Sequence, residues 1–194
     1  MRSRWKPAVT VAAVIERDGR FLLVEERTPE GLKLNQPAGH LERGEGLLEA
    51  CVREVLEETA HAFTPQYLLG VYLARTEAAR GAETYLRFAF GGELGARLPQ
   101  RLDRGIVRTL WLTADELRTR SAQHRSVLVM RCVEDYLAGR RFPLDLIAVD
   151  PSALGAPRPH PSPPPQAGEG VKRSALLPAL EPQSVSPPPL AGEG

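Results

Sequence analysis

Gly39-His-Leu-Glu-Arg-Gly-Glu-Gly-Leu-Leu-Glu-Ala-Cys-Val-Arg-Glu-Val-Leu-Glu-Glu58 is the stretch that decides the fold. Apolar residues at 48, 51, 52, 55 and 56 have the spacing of one buried helical face, which predicts a helix over 47–58. Glu54, Glu57 and Glu58 are related by i, i+3 and i+4 and share another face, spanning roughly 100° of arc. Three carboxylates therefore crowd a helix whose other side is anchored in a core. Their repulsion costs a few tenths of a kcal/mol per pair, and solvent or Arg53 would relieve it. A charged face in water is one reading of this cluster. The other is a divalent-cation site, because hard oxygen ligands suit Mg²⁺ or Mn²⁺, and Mg²⁺ keeps several waters while binding substrate phosphates.

Upstream of the helix the period is that of strands. The β-branched run 9–15 is followed by Asp18-Gly19, a hairpin signal because a type I′ turn needs φ > 0 at both central residues. Residues 20–25 form the returning strand, 28–31 a loop, and 34–39, interrupted by Pro37, an edge or irregular strand running into a turn at Gly39. Downstream, 67–74, 84–90 and 106–112 have strand character, with a loop over 78–82. Thr113-Ala-Asp-Glu116 has the form of a capping box, and 126–138 forms an amphipathic helix stopped by Gly139. Strands before and between helices indicate a mixed α/β layer arrangement.

Twelve of the 18 prolines fall in residues 151–194, where there is no Phe, Trp, Tyr, Cys or Ile. All eleven aromatic residues lie between Trp5 and Phe142. The composition thus predicts one domain over 1–150 and a disordered, Pro-rich tail over 151–194, which cannot bury enough apolar surface to offset its ordering entropy. The tail repeats a nonamer, Ser162-Pro-Pro-Pro-Gln-Ala-Gly-Glu-Gly170 and Ser186-Pro-Pro-Pro-Leu-Ala-Gly-Glu-Gly194. It is either an extended appendage without a selected role or a polyproline ligand for an unknown protein partner.

A formal net charge of +1 gives no bulk basic field for nucleic acid. Cys51 and Cys132 are too few for a disulfide scaffold and fit reduced thiols in a cytoplasmic protein. No apolar run approaches the ~18 to 20 residues needed to cross a bilayer, so no membrane association is expected. The apolar segment 8–15 imitates a signal peptide, but its length and β-branched content suit a buried strand better.

The order Gly-x5-Glu-x7-Arg-Glu-(apolar)-x-Glu-Glu over 39–58 has a chance frequency on the order of 10⁻⁸ per start position. This segment is identified as a Nudix box, and the chain resembles the Nudix hydrolases. The resemblance implies an α/β/α sandwich with a mixed β-sheet. It also implies hydrolysis of substrates in which a nucleoside diphosphate is linked to another group. It assigns Mg²⁺ (or Mn²⁺) to Glu54, Glu57 and Glu58, with the backbone carbonyl of Gly39 nearby. Arg53 would orient a catalytic carboxylate, and Glu45 would hold the loop or assist the helix. Metal ions neutralise the pyrophosphate and activate water, while a free carboxylate takes the proton. Glu57 and Glu54 are the first and second candidates for that base. Asp103 is a third, although its Leu-Asp-Arg-Gly context also suits a plain turn residue.

A closer resemblance, to a bacterial phosphatase branch of the family, rests on Lys6-Pro-Ala-Val-Thr-Val-Ala12, Asn35-Gln-Pro-Ala-Gly-His-Leu-Glu42, Tyr85-Leu-Arg-Phe88 and Arg141-Phe-Pro-Leu144. It implies a broad nucleoside di- and triphosphatase that also hydrolyses the pyrophosphates of thiamine and its hydroxymethylpyrimidine precursor. The alternative from another functional class is a Nudix-fold module that senses nucleotides without cutting them. His40 is either substrate-facing or a structural turn residue. Among Lys6, Arg27, Arg87, Tyr72 and Phe88, Arg87 is the best candidate for gripping phosphate or base. Two positions depart from the family pattern. Ala60 stands where a helix-closing Gly is usual, so either a left-handed alanine carries strain there or the helix ends differently; His61 beside it is expected to be exposed. Leu34 stands where an aromatic ring that could stack on substrate is expected.

Overall fold

The computed structural model describes residues 4–78 and 81–155. Two four-stranded sheets carry the fold. The first has the order β5-β1-β7-β6, from Ala38–His40, Ala8–Val14, Gly81–Arg97 and His61–Ala78. β1 pairs with β7 in parallel and with β5 antiparallel, so this sheet is mixed. The second joins β2 (Glu16–Arg17), β3 (Arg20–Thr28) and β4 (Gly31–Asn35), with β8 (Ile106–Leu112) on the other edge of β3.

Helices cover both faces. Val11, Ala13 and Ile15 pack with Ala50, Cys51 and Val55 of α1 (Leu47–Thr59). Ala12 and Val14 pack with Leu117 of α2 (Ala114–Thr119) and with Val129, Cys132 and Val133 of α3 (Leu128–Leu137). Burial on both faces explains why this part of the chain is a continuous apolar run without alternation. The result is the expected α/β/α layering with mixed pairing.

Several local expectations hold. Asp18 and Gly19 have φ of 52° and 74°, as a type I′ turn requires. Thr113 and Glu116 form the complete capping box that opens α2. Other elements differ. The hairpin is β2 with β3, while β1 lies in the other sheet, so the chain changes sheets around Ile15. Residues 28–31 form a turn tight enough for Thr28 and Gly31 to be register partners. Pro37 falls between β4 and β5, at a second sheet change, and Gly39 lies within β5 opposite Val11.

The strands expected at 67–74 and 84–90 are the middles of strands 18 and 17 residues long. Bulges at His61/Phe63, Pro65/Tyr67 and Leu68/Gly70 reset the alternation of β6 and conceal its length from a period-2 reading. Most of the segment expected as a tail lies outside the described residues. Residues 151–155, counted with it by composition, are described and return to the body: Leu154 bridges Gly44, and the Gly155 N–H donates to the Gly44 carbonyl at 2.8 Å. Gly44 has φ +85°, and a Cβ there would meet the backbone of Gly155, so no other residue fits easily.

Candidate active site

Gly46 opens α1 without a side-chain cap, and the preceding loop is held instead by Glu45. One Glu45 oxygen accepts from the Glu42 N–H at 2.8 Å. Both Glu45 oxygens accept from Arg53, Oε2 from Nε at 3.0 Å and Oε1 from Nη2 at 2.7 Å. This bidentate, charge-assisted pairing fixes the guanidinium plane. Arg53 Nη1 then donates to Glu54 at 2.7 Å and Glu57 at 3.0 Å, and Nη2 to the His40 carbonyl at 3.0 Å. The pairing with Glu45, before any other cause, holds the Arg53 pKa above its ordinary value. Arg53 is thus a permanently charged hub that aims two carboxylates.

Glu58 is held from the other side, its Oε2 accepting from the Ala38 N–H at 2.8 Å. Burial pushes its pKa up to about 9; the Ala38 bond opposes this, and Glu54, Glu26 and Asp103 add to it. Burial also raises Glu54, against the pull of Arg53. The three carboxylates therefore do not form a solvated charged face: Glu54 is only 9% exposed. A Cβ on Gly39 would land on the Glu54 carboxylate, so this glycine makes room for that group.

No cluster of three metal-ligating side chains is already formed among the described residues. Even so, the donor set suits a hard cation. Partly buried carboxylates that repel one another gain from positive charge, and they are oxygen ligands.

Most of the residues singled out in the sequence meet here. Glu45, Arg53, Glu54, Glu57 and Glu58 share one network, and Gly39 abuts it. Asp103 is exposed on a neighbouring loop tied to the helix by its N–H to the Glu57 carbonyl at 2.9 Å, close enough to act electrostatically on Glu54 and Glu58. His40 contributes its carbonyl to Arg53, and its exposed ring stands 6.2 Å from that of Tyr85.

Arg87 is not in the network. It lines an adjacent cavity of about 200 Å³ together with Thr10, Glu26, Asn35, Gly39 and His40. Of the other candidates, Tyr72 donates to Asp135 at 3.0 Å and is structural, Phe88 packs against the core, and Lys6 and Arg27 are exposed.

Leu34 is part of the core, so its position holds no ring against the cavity. Ala60 has the expected left-handed backbone, φ 58°, but His61 is half-buried and its Nδ1 lies 2.9 Å from the Thr59 carbonyl, not free in solvent. Sequence reasoning missed Ala38, Thr10 and Glu26. Ala38 acts through its backbone, which no residue type signals. Thr10 and Glu26 sit in strands whose composition speaks only for burial. Thr10, Asn35 and Ala38 were visible only as members of longer matching segments, without a role of their own.

The family model for the NUDIX domain matches residues 4–132. The phosphatase NudJ of Escherichia coli strain K12 is 39% identical over 144 residues, covering 74% of this chain and 92% of that one. The phosphatase NudJ of Shigella boydii gives the same figures. Among solved structures, a NUDIX hydrolase from Nitrosomonas europaea is 55% identical, with a TM-score of 0.70, covering 75% of this chain and 99% of that one. The MutT NUDIX hydrolase of Burkholderia pseudomallei is 26% identical with a TM-score of 0.57, covering 68% and 98%. With Glu45, Glu54 and Glu57 gathered around Arg53, the chain belongs to the Nudix hydrolases and is a pyrophosphohydrolase.

Proposed function

We propose that the enzyme hydrolyses nucleoside di- and triphosphates and related pyrophosphates, those of thiamine and hydroxymethylpyrimidine among them, with Mg²⁺ (or Mn²⁺) held by Glu54, Glu57, Glu58 and the Gly39 carbonyl. The likeness to NudJ phosphatases along 92% of their length supports a phosphatase. The observation that carries the metal assignment is Glu58, a half-buried carboxylate that accepts from the Ala38 N–H yet is pushed up to about 9 among other acids. A bound divalent cation supplies positive charge to the pyrophosphate oxygens and acidity to the attacking water.

The chain's own residues do the rest. Arg53, clamped by Glu45, holds Glu54 and Glu57 at fixed angles. Glu57 is the most open of the set, its side chain 38% exposed, and can accept a proton from water within hydrogen-bond reach. Glu54 is second choice for that role, and Asp103 is the candidate from outside the helix. The catalytic unit is residues 1–150 with the strap to Gly155; the proline-rich remainder has no part in the reaction.

A non-hydrolytic sensor is the rival reading, and the intact Arg53, Glu54, Glu57 and Glu58 disfavour it, since sensing needs no aimed carboxylate. Phosphate and pyrophosphate release from a panel of these substrates, with and without Mg²⁺, tests the proposal beside Glu57→Gln. Turnover that requires the cation and falls by orders of magnitude in Glu57→Gln, with an unchanged circular dichroism spectrum, is expected. No turnover on any member would favour the sensor, and near-normal rates in Glu57→Gln would remove that residue from the mechanism.

A further inference from the structure

Two aromatic rings from distant sequence meet at the cavity beside the carboxylates. His40 of β5 is the register partner of Thr10 on β1, and Tyr85 of β7 is that of Ala8. Register partners share a face of a sheet, as do residues two apart on one strand. His40 and Tyr85 therefore stand on one face, with only the short side chains of β1 between them. Their ring centroids are 6.2 Å apart and their planes are tilted by 51°. Both residues line the cavity, and neither is buried: His40 is exposed and Tyr85 half-buried. The Tyr85 hydroxyl donates to Glu83 at 2.6 Å, which steadies that ring. His40 is steadied through its backbone, whose carbonyl accepts from Arg53, and it follows Gly39, where a Cβ would fall on the Glu54 carboxylate. The pair thus adjoins the carboxylates while its rings stay outside their network.

We propose that His40 and Tyr85 form a platform on which the base of a nucleotide substrate stacks, purine and pyrimidine alike. At 6.2 Å and 51° the two rings meet at an angle and do not cover one another, which leaves aromatic surface for a third ring. Every nucleobase has a π-face, so such a platform holds substrates by their flatness and not by their exocyclic groups. The ring expected at position 34 is absent from the cavity because Leu34 is 1% exposed in the core; β5 and β7 bring rings there instead. A pair that only tied β5 to the sheet would serve a substrate without a base equally well, and that difference is measurable.

The position of the phosphates rests on the hydrolase reading, but stacking of the base is tested without turnover. Calorimetric binding of AMP, CMP and UMP to the full chain in Mg²⁺ is compared with that of ribose 5-phosphate, which lacks only the base. Each nucleotide is expected to bind at least about tenfold more tightly than ribose 5-phosphate, and the three to agree within about tenfold. In His40→Leu and Tyr85→Leu, each verified folded by thermal melting, the advantage over ribose 5-phosphate should fall by about tenfold. Tyr85→Phe, which keeps the ring and loses the bond to Glu83, should retain it. Turnover should follow through KM: the kcat/KM ratio of ADP to ribose 5-diphosphate drops in the two leucine variants, with kcat for ADP little changed. Because the ratio is taken within one variant, general damage to the fold cancels. Equal binding of nucleotides and ribose 5-phosphate by the wild-type chain would overturn the proposal. So would an advantage that survives in both leucine variants, or a Tyr85→Phe chain as impaired as Tyr85→Leu. A base-dependent affinity that the variants lose, without hydrolysis of any diphosphate, would uphold the platform while sinking the hydrolase reading.

Discussion

Gly39 and Glu54 show how one missing side chain fixes the place of another. The carboxylate of Glu54 occupies the space a Cβ on Gly39 would take, while Arg53 pulls it to 2.7 Å from Nη1. Gly39→Ala would displace the carboxylate without altering any charge. A misplacement of ~1 Å in a catalytic group can cost about 10²-fold, and a loss of that order in kcat/KM is expected. The melting temperature should fall only slightly. Wild-type turnover in Gly39→Ala would show that Glu54 need not occupy this position. At this scale the sequence was informative about identity but not environment. The spacing of Glu54, Glu57 and Glu58 placed them together, whereas the burial of Glu54 and the Ala38 N–H on Glu58 depend on β5, whose pairing with β1 no local pattern announces.

Among the elements, α1 ends against a backbone rule. Ala60 closes it with φ 58°, its N–H on the Leu56 carbonyl at 2.9 Å. A left-handed alanine costs about 1–2 kcal/mol relative to an allowed region. Ala60 is fully buried, and removing its methyl would return about 0.8 kcal/mol of that gain. The difference still favours glycine, so Ala60→Gly should raise the melting temperature by about 2 °C with turnover unchanged. A fall on differential scanning calorimetry would mean that the methyl outweighs the strain. The helix itself was legible because its apolar stripe is local. β6 and β7 were legible only in part. Pro65 and Gly70 stand at bulges, and Gly91 and Gly92 lie under Tyr67 and the Thr64 carbonyl, where a side chain would collide. Residues that look like strand breakers are therefore what allow a long, bent hairpin.

At the scale of the fold, the two sheets and three α-helices of the described residues leave the loop before α1 to be held by distant sequence. The loop 41–46 is braced by Arg53 on one side and by residues 149–155 on the other, where Val149 stands near Gly46 and Gly155 bonds to Gly44. A chain stopped after Ile147 loses the second brace at a stability cost of about 1 kcal/mol per lost hydrogen bond. Its kcat/KM should nevertheless drop about tenfold, because Glu45 aims Arg53 from that loop. A chain stopped at Gly155 should keep full turnover. Equal rates in both truncations would show that Arg53 alone suffices. The two thiols provide a separate check on the packing. Burial pushes Cys132 up to about 11 and Cys51 higher still. Native protein at pH 8 should resist Ellman's reagent and release two equivalents only after denaturation. Rapid labelling of either thiol would contradict the two cores.

The bond between Gly155 and Gly44 has a practical corollary for anyone handling the protein. Whatever follows Gly155 in the chain is covalently tethered one residue from the backbone of the catalytic loop. An affinity tag, fluorophore or fusion partner placed directly there begins beside the loop that Glu45 and Arg53 hold, and kinetic constants from such material call for a comparison with the untagged chain. The amino end, where Arg4, Trp5 and Lys6 are exposed before β1 begins, is the safer handle.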